Sequence, residues 1–157
     1  MHRARRLSGE RGAAIVEMIL VLPLLLFVMF AIVELSRAWF TLQLATAAIR
    51  DGARAAAVAA SGNVSSAGTT RITSILAAGG ITTSSQGATL LSGFPTVNLF
   101  KLAQPPNQPC PLPLPVTVDC EVVAKVTVRF STFFPLLPPS LQSMDLVQTA
   151  RMRWEGG

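Results

Sequence analysis

Residues 12–33 read GAAIVEMILVLPLLLFVMFAIV, an apolar run interrupted only by Glu17 and Pro23. From Ala13 to Val33 the run supplies 21 residues, enough for one helix to cross a hydrocarbon core of about 30 Å. Its opening, Gly12-Ala13-Ala14-Ile15-Val16-Glu17, sets a carboxylate five residues past a glycine and just inside the run. An ionised carboxylate inside a bilayer costs roughly 2.5–3.5 kcal/mol on insertion scales, which makes Glu17 a candidate functional group in need of a partner. Cleavage after Gly12 would create one. The new α-amino group of Ala13 would lie one helical turn from Glu17, at the i, i+4 spacing, and the new terminus of a neighbouring subunit would serve equally.

The rest of the composition sets orientation. The chain has 157 residues, half of them hydrophobic, and a formal net charge of +5, which leaves room for one domain at most. A nucleic-acid partner is not expected, because the basicity belongs to residues 1–12, where Arg3, Arg5, Arg6 and Arg11 face Glu10 alone. Beyond them nine basic side chains balance seven acidic ones. Arginines ahead of the span, with only Arg37 shortly after it, put the N-terminus in the cytoplasm by the positive-inside rule. The expected location is the cytoplasmic (inner) membrane, single-pass, with the C-terminal part extracytoplasmic or periplasmic. A secretory signal peptide is a poorer description, since the run exceeds the usual 7–15 apolar residues and continues into Glu34-Leu35-Ser36-Arg37 without a convincing cleavage site. An uncleaved signal anchor remains open, because basic flanks and length alone would produce one.

The helix is expected to continue past the membrane. Residues 34–60 are rich in Ala, Leu, Arg and Gln, which favour helix, and Leu35, Ala38, Trp39, Leu42, Ala45, Ile49, Ala53, Ala56 and Ala60 recur at steps of three and four, an amphipathic stripe. A continuous helix over 13–60 would be about 72 Å long. Pro23 removes the hydrogen bond to the carbonyl of Ile19 and predicts a kink or local loosening. Gly52 reads as the weakest point of the helix, and the small residues around it permit close approach of another helix or a sheet.

Ser61-Gly62-Asn63 carries helix stop signals, and residues 61–157 read as an extracytoplasmic head. A short helix is predicted over Thr70–Ala78, stopped by Gly79-Gly80, with short strands over Ala88–Leu91 and Thr96–Leu102. The Pro-rich stretch 105–115 cannot pair as a central strand. Val122, Ala124, Val126, Val128 and Phe130 alternate with more polar residues from Cys120 onward, the period of a half-buried strand. After a turn-rich 133–140, Asp145–Trp154 predicts a closing antiparallel strand, with Leu146, Ala150, Met152 and Trp154 on one face and Gln148 interrupting it. Cys110 and Cys120 are the only cysteines; in an exported domain such a pair reads as a disulfide closing a Pro-rich loop over 105–120, which stabilises by about 2–3 kcal/mol on the chain-entropy model. The domains expected are therefore a basic cytoplasmic leader (1–12), a transmembrane helix (13–34), its extramembrane continuation (35–60) and the head (61–157). The fold class is α+β: a single N-terminal transmembrane helix extended into a long pilin-like helix packed on a small antiparallel sheet.

Several motifs together carry a resemblance. Glu10-Arg11-Gly12 after an Arg-rich leader, Ala13-Ala14-Ile15-Val16-Glu17, Leu20-Val21-Leu22-Pro23-Leu24-Leu25-Leu26, Ile32-Val33-Glu34 and Ala47-Ala48-Ile49-Arg50-Asp51-Gly52-Ala53-Arg54 resemble the N-terminal module of TadE-like proteins, minor pilins or pseudopilins of the Flp (tight adherence, type IVc) pilus system. The resemblance spans about residues 10–58, and Ala150-Arg151-Met152-Arg153-Trp154-Glu155 is similar to the family's closing strand. It implies that an aspartyl prepilin peptidase cuts after Gly12 on the cytoplasmic side, leaving Ala13 as the mature N-terminus. It also implies that Glu17 pairs with the N-terminus of an adjacent subunit during assembly. One position departs: Flp-type sequences usually follow this glutamate with Tyr or Phe, whereas Met18 stands here. Glu34 and Arg37 fall where the span meets the outside, either as a solvated ion pair ending the membrane segment or in an assembly role. A major fibre subunit is disfavoured, because Flp-type major pilins are much shorter and a large head would obstruct a thin filament.

Catalysis is not expected. Nucleophilic triads and pairs need an imidazole beside the nucleophile, and the sole histidine, His2, sits in the leader. No phosphate-binding glycine loop is present, and neither cofactor nor metal is expected, since a zinc set would need ligands beyond two cysteines. The function expected is that of a minor pilin or pseudopilin whose partners are a prepilin peptidase, other pilins or pseudopilins, the assembly machinery and membrane lipid. The alternative is an uncleaved single-span envelope protein whose head binds a partner or ligand.

Overall fold

Leu, Ala and Arg dominate the N-terminal third, and in a computed structural model of the chain one helix, α1 (Leu7–Ala57), takes up this stretch from Leu7 onward. The structure describes residues 7–84, 87–101, 109–110, 119–133 and 142–155, with side chains from residue 12 onward. Most of the leader, of the Pro-rich loop and of the turn-rich 133–140 lies outside the described residues. Two compact units divide the chain, residues 1–37 and 38–157.

In the first unit, α1 continues through Pro23 without interruption. Every side chain from Gly12 to Val33 is exposed, Leu20 by as much as 73%. A helix that is apolar all round and has no protein cover is at odds with water. The helix over residues 12–57 is long and apolar enough to cross a membrane.

The second unit is built on the end of α1, a helix α2 (Val64–Ala78) and four strands: β1 (Ala88–Leu90), β2 (Thr96–Lys101), β3 (Cys120–Ser131) and β4 (Ser143–Arg153). β3 is the central strand. β1 and β2 lie end to end along one of its edges, Leu90 opposite Val128 and Thr96 opposite Lys125, and β4 pairs antiparallel with its full length on the other edge, from Glu121↔Arg153 to Ser131↔Ser143. The period-2 reading of β3 holds: Val122, Ala124, Val126 and Val128 are fully buried and Phe130 nearly so. The four fully buried residues share one core with Ala45, Ala48, Ile49, Ala53 and Ala56 of α1 and with Val64, Ile72 and Leu76 of α2.

Three expectations are corrected. The stripe proposed for α1 is buried only over its middle: Leu35 and Trp39 are 71% and 62% exposed and Ala60 lies beyond the helix, exposed. Helical periodicity identifies a face without saying what covers it. α2 begins six residues before the expected Thr70, since Val64, Gly68, Ile72 and Leu76 form a buried i, i+4 row that the weak helix formers between them conceal. Gly52 is buried and is a packing position rather than a weak point. A Cβ there would collide with the Ile72 side chain and stand 3.0 Å from the Gly68 carbonyl oxygen, and a Cβ on Gly68 would lie 2.9 Å from Val97 and 3.1 Å from Ala56. The two glycines let α1, α2 and β2 approach one another.

Both helix ends within this unit are satisfied by identifiable groups. At the end of α2, Ile81 N–H donates to Leu76 O at 2.8 Å and Gly80 N–H to Ala77 O at 3.0 Å, the paired bonds of a Schellman cap. The residue between them must be left-handed, and Gly80 has φ +80°. Past the end of α1, Glu155 N–H donates to Ala57 O at 3.0 Å and Trp154 Nε1–H to Ala59 O at 3.1 Å. The last strand therefore fastens the C-terminal end of the long helix, whose final carbonyls have no intrahelical partner. Trp154→Phe keeps most of the ring and removes this donor, so it is expected to lower stability by about 0.5–1.5 kcal/mol, and Trp154→Ala by more, as packing is lost as well. Thermal unfolding of the two variants checks the order; an unchanged midpoint for Trp154→Phe would mean that the indole N–H contributes nothing.

Candidate functional site

Gly12, Ala13 and Glu17 lie on consecutive turns of α1. Around Gly12 the space is open, with no atom within 4 Å of where a Cβ would stand. Glu17 is exposed and shares an open face of the helix with Ala14, Met18, Val21, Leu22 and Leu25. The carboxylate is therefore the one acidic group on an otherwise apolar face, available to a cation from outside the chain. Met18 adds a flexible thioether to that face and is itself 67% exposed.

At the other end of the apolar run Arg37 Nη1 donates to both carboxylate oxygens of Glu34, at 3.1 and 3.2 Å. The side chains are 29% and 18% exposed. Beside them Ser36 Oγ–H donates to the Ile32 carbonyl at 2.8 Å, which hides a hydroxyl that would otherwise need water. The ion pair and the hydroxyl bond thus mark where the apolar surface first admits charge. The helical spacing alone predicts this pair. Phe40, which the stripe omitted, is 59% exposed next to Trp39; of these two exposed aromatics just past the charged pair, Trp39 is of the type enriched at membrane interfaces.

In the head the polar groups sit on the sheet face opposite the core. Arg129 and Asp145, directly paired across β3 and β4, form a bidentate ion pair at 2.8 and 3.1 Å. The hydrogen bond from Arg129 holds the Asp145 carboxyl below its usual range, and that same bond raises the guanidinium further. Arg151 bonds Glu121 at 2.9 Å and Arg153 bonds Asp119 at 2.7 Å. Cys110 and Cys120 form the disulfide, with Cα atoms 6.4 Å apart. It ties residues 109–110 to the start of β3, while Cys110 N–H donates to Leu99 O at 3.2 Å and Pro109 bridges Phe100, so this segment runs along the outer edge of β2. Among the described residues no group of three or more His, Cys, Asp or Glu side chains could hold a metal ion.

The geometry divides the predicted residues into three sets: Gly12, Ala13, Glu17 and Pro23 on the uncovered helix, Glu34 and Arg37 paired at its end, and the disulfide in the head. No curated protein and no solved structure matches the chain. The family model of TadE-like proteins matches residues 12–54, a segment that opens at Gly12, contains the whole apolar run and closes after the buried glycine Gly52. Over these residues the chain is similar to TadE-like proteins, the family its motifs resemble.

Proposed function

We propose that this chain is a membrane-anchored minor pilin or pseudopilin that works in assembly of an Flp-type (Tad) pilus. The observation that carries the reading is the uncovered apolar helix with Glu17 as its single acidic interruption before Glu34, inside the segment that matches the TadE-like family. The chain inserts with its leader in the cytoplasm, and a prepilin peptidase cuts between Gly12 and Ala13. The Glu17 carboxylate then accepts a hydrogen bond from an α-amino group, on its own chain or on a neighbouring subunit, which offsets the cost of holding the charge in lipid. Lipid and the helices of other pilus components cover the apolar face, and the head docks outside. The chain contributes by packing and catalyses no reaction.

The experiment is the intact mass and N-terminal sequence of the protein purified from membranes, with and without the host's prepilin peptidase. A chain that starts at Ala13 only when the peptidase is present is the expected result. Gly12→Ala is expected to leave the precursor uncut; because nothing lies within 4 Å of the added methyl, the loss would report recognition by the peptidase rather than a folding defect. A chain beginning at Met1 in both strains would sink the reading in favour of an uncleaved single-span envelope protein.

A further inference from the structure

The two ends of the second unit differ in charge, and printed contacts fix which end is which along α1. At one end Glu155 N–H donates to Ala57 O and Trp154 N–H to Cys120 O, which sets the start of β3 beside the end of α1. Toward the other, a Cβ on Gly79 would strike the Leu44 side chain of α1, and Ile81 is buried two residues on. Thr82 then bridges Thr89, which pairs with Arg129. α1 and β3 therefore run in opposite directions, and the connection from β3 to β4 lies at the end of the unit where α1 enters it. From Arg129 to Thr132, whose N–H donates to Gln142 O, the strand advances about 10 Å. From Leu44 back to Ala38 the helix covers about 9 Å. The foot of the β3–β4 hairpin thus comes down to the height of Ala38.

The segments that build this end, 38–49, 72–95 and 130–144, contain no charged residue, whereas the opposite end carries Asp119, Glu121, Arg151, Arg153 and Glu155. Residues 133–141 read FFPLLPPSL, where a turn facing water is ordinarily polar. Phe133 is 64% exposed and Met144, 59% exposed, stands opposite Phe130 near the foot of the hairpin. Trp39 and Phe40 are exposed on α1 at the same height. Large apolar side chains gathered like this mark a contact surface, and continuity with the apolar run says what it meets. A helix over residues 13–33 is about 30 Å long and fills the hydrocarbon core; Trp39 follows about 9 Å beyond Val33, at the outer side of the headgroup layer. We propose that this end of the head is seated on the phospholipid surface, with Phe133 in the headgroup layer beside Trp39 and Phe40. Apolar side chains gain burial there, and no charge has to leave water with them. Helix and hairpin are then two attachments, which restrict rotation of the head about the membrane normal. This seating needs α1 to span the membrane, as proposed above, and does not depend on the pilus assignment.

The test places a nitroxide on single cysteines in the full-length chain, whose native cysteines are already joined, in vesicles of phosphatidylethanolamine and phosphatidylglycerol. The variants are Phe133→Cys, Met144→Cys, which keeps Phe133, Ala31→Cys in the apolar run and Gly62→Cys past the end of α1, where the space is open. Electron paramagnetic resonance reads collisions with oxygen, which partitions into lipid, against those with a water-soluble nickel complex. The oxygen-to-nickel ratio at 133 is expected to exceed that at 62 several-fold, with 144 between them and 31 highest. A ratio at 133 or 144 no higher than at 62, while 31 stays in lipid, would overturn the seating and leave the span intact. A label at 133 shielded from both reagents would also overturn it, since protein rather than lipid would then cover this end. A label at 31 open to the nickel complex would sink the span and the seating together.

Discussion

On the proposed pilin reading, Glu17→Leu is expected to leave the chain inserted and cut after Gly12 yet unable to join pilus components. The two consequences have opposite signs, which is what makes the variant informative. A carboxylate in the apolar run costs roughly 2.5–3.5 kcal/mol, whereas a leucine near the helix centre favours insertion by about 0.3–0.6 kcal/mol. The substitution therefore strengthens membrane insertion, and lost assembly cannot be ascribed to a protein that failed to enter the membrane. What disappears is the one acidic group on the face shared by Ala14, Met18, Val21, Leu22 and Leu25, and with it the acceptor proposed for an α-amino group. Co-purification of pilus components with a tagged chain, together with pilus counts by electron microscopy, reads the effect. Wild-type co-purification and piliation with Glu17→Leu would remove Glu17 from the mechanism.

The largest effect on the head is expected at Gly52. By helix propensity alone Gly52→Ala should stabilise α1 by about 0.8–1.0 kcal/mol. The site opposes this, because the new methyl would strike the Ile72 side chain and stand 3.0 Å from the Gly68 carbonyl oxygen, and Ile72 is fully buried. Overpacking of this kind costs typically 1–3 kcal/mol, so the net sign is destabilising, and Gly52→Leu should prevent the head from folding. Gly62→Ala is the control, since nothing lies within 4 Å of its added methyl and a gain of about 0.4–1 kcal/mol is ordinary at such a site. Thermal unfolding in detergent, followed by the fluorescence of Trp154 in a Trp39→Phe background, is expected to show a lower midpoint for Gly52→Ala and an unchanged or higher one for Gly62→Ala. If both rise, α1 and α2 are not in close contact at Gly52. A double-mutant cycle adds a second check: with Ile72→Ala in place, Gly52→Ala should cost less than it does alone, because the two residues share one space.

Both results turn on contacts whose visibility in the sequence differs. The apolar run of residues 12–33 and the alternation of β3 are local patterns. A side-chain period of two, or an uninterrupted apolar stretch, states which atoms must leave water whatever surrounds them. For this reason the long helix, the central strand, the ends of β1, β2 and β4 within one or two residues, and the Cys110–Cys120 pair were legible before any coordinates. The Glu34–Arg37 pair was legible too, since a helical step of three brings the two side chains together.

Other features have no local signature. Apart from Val64 and Ala67, the first turns of α2 are made of Ser, Thr and Gly, weak helix formers that become helical because Val64, Gly68, Ile72 and Leu76 line up against the core. Gly52 and Gly68 read as breakers in isolation, and only the crossing of α1, α2 and β2 turns the absence of a Cβ into a requirement. The hydrogen bond from Trp154 to Ala59 joins residues 95 positions apart, a distance over which no periodicity speaks. The sequence by itself determined the apolar helix, its acidic interruption and the strand that carries the core, because these follow from hydrophobicity and chain geometry within a few residues. The tertiary structure alone decided which small residues are contacts and which end of the stripe is covered, because burial is a property of what the rest of the chain brings alongside.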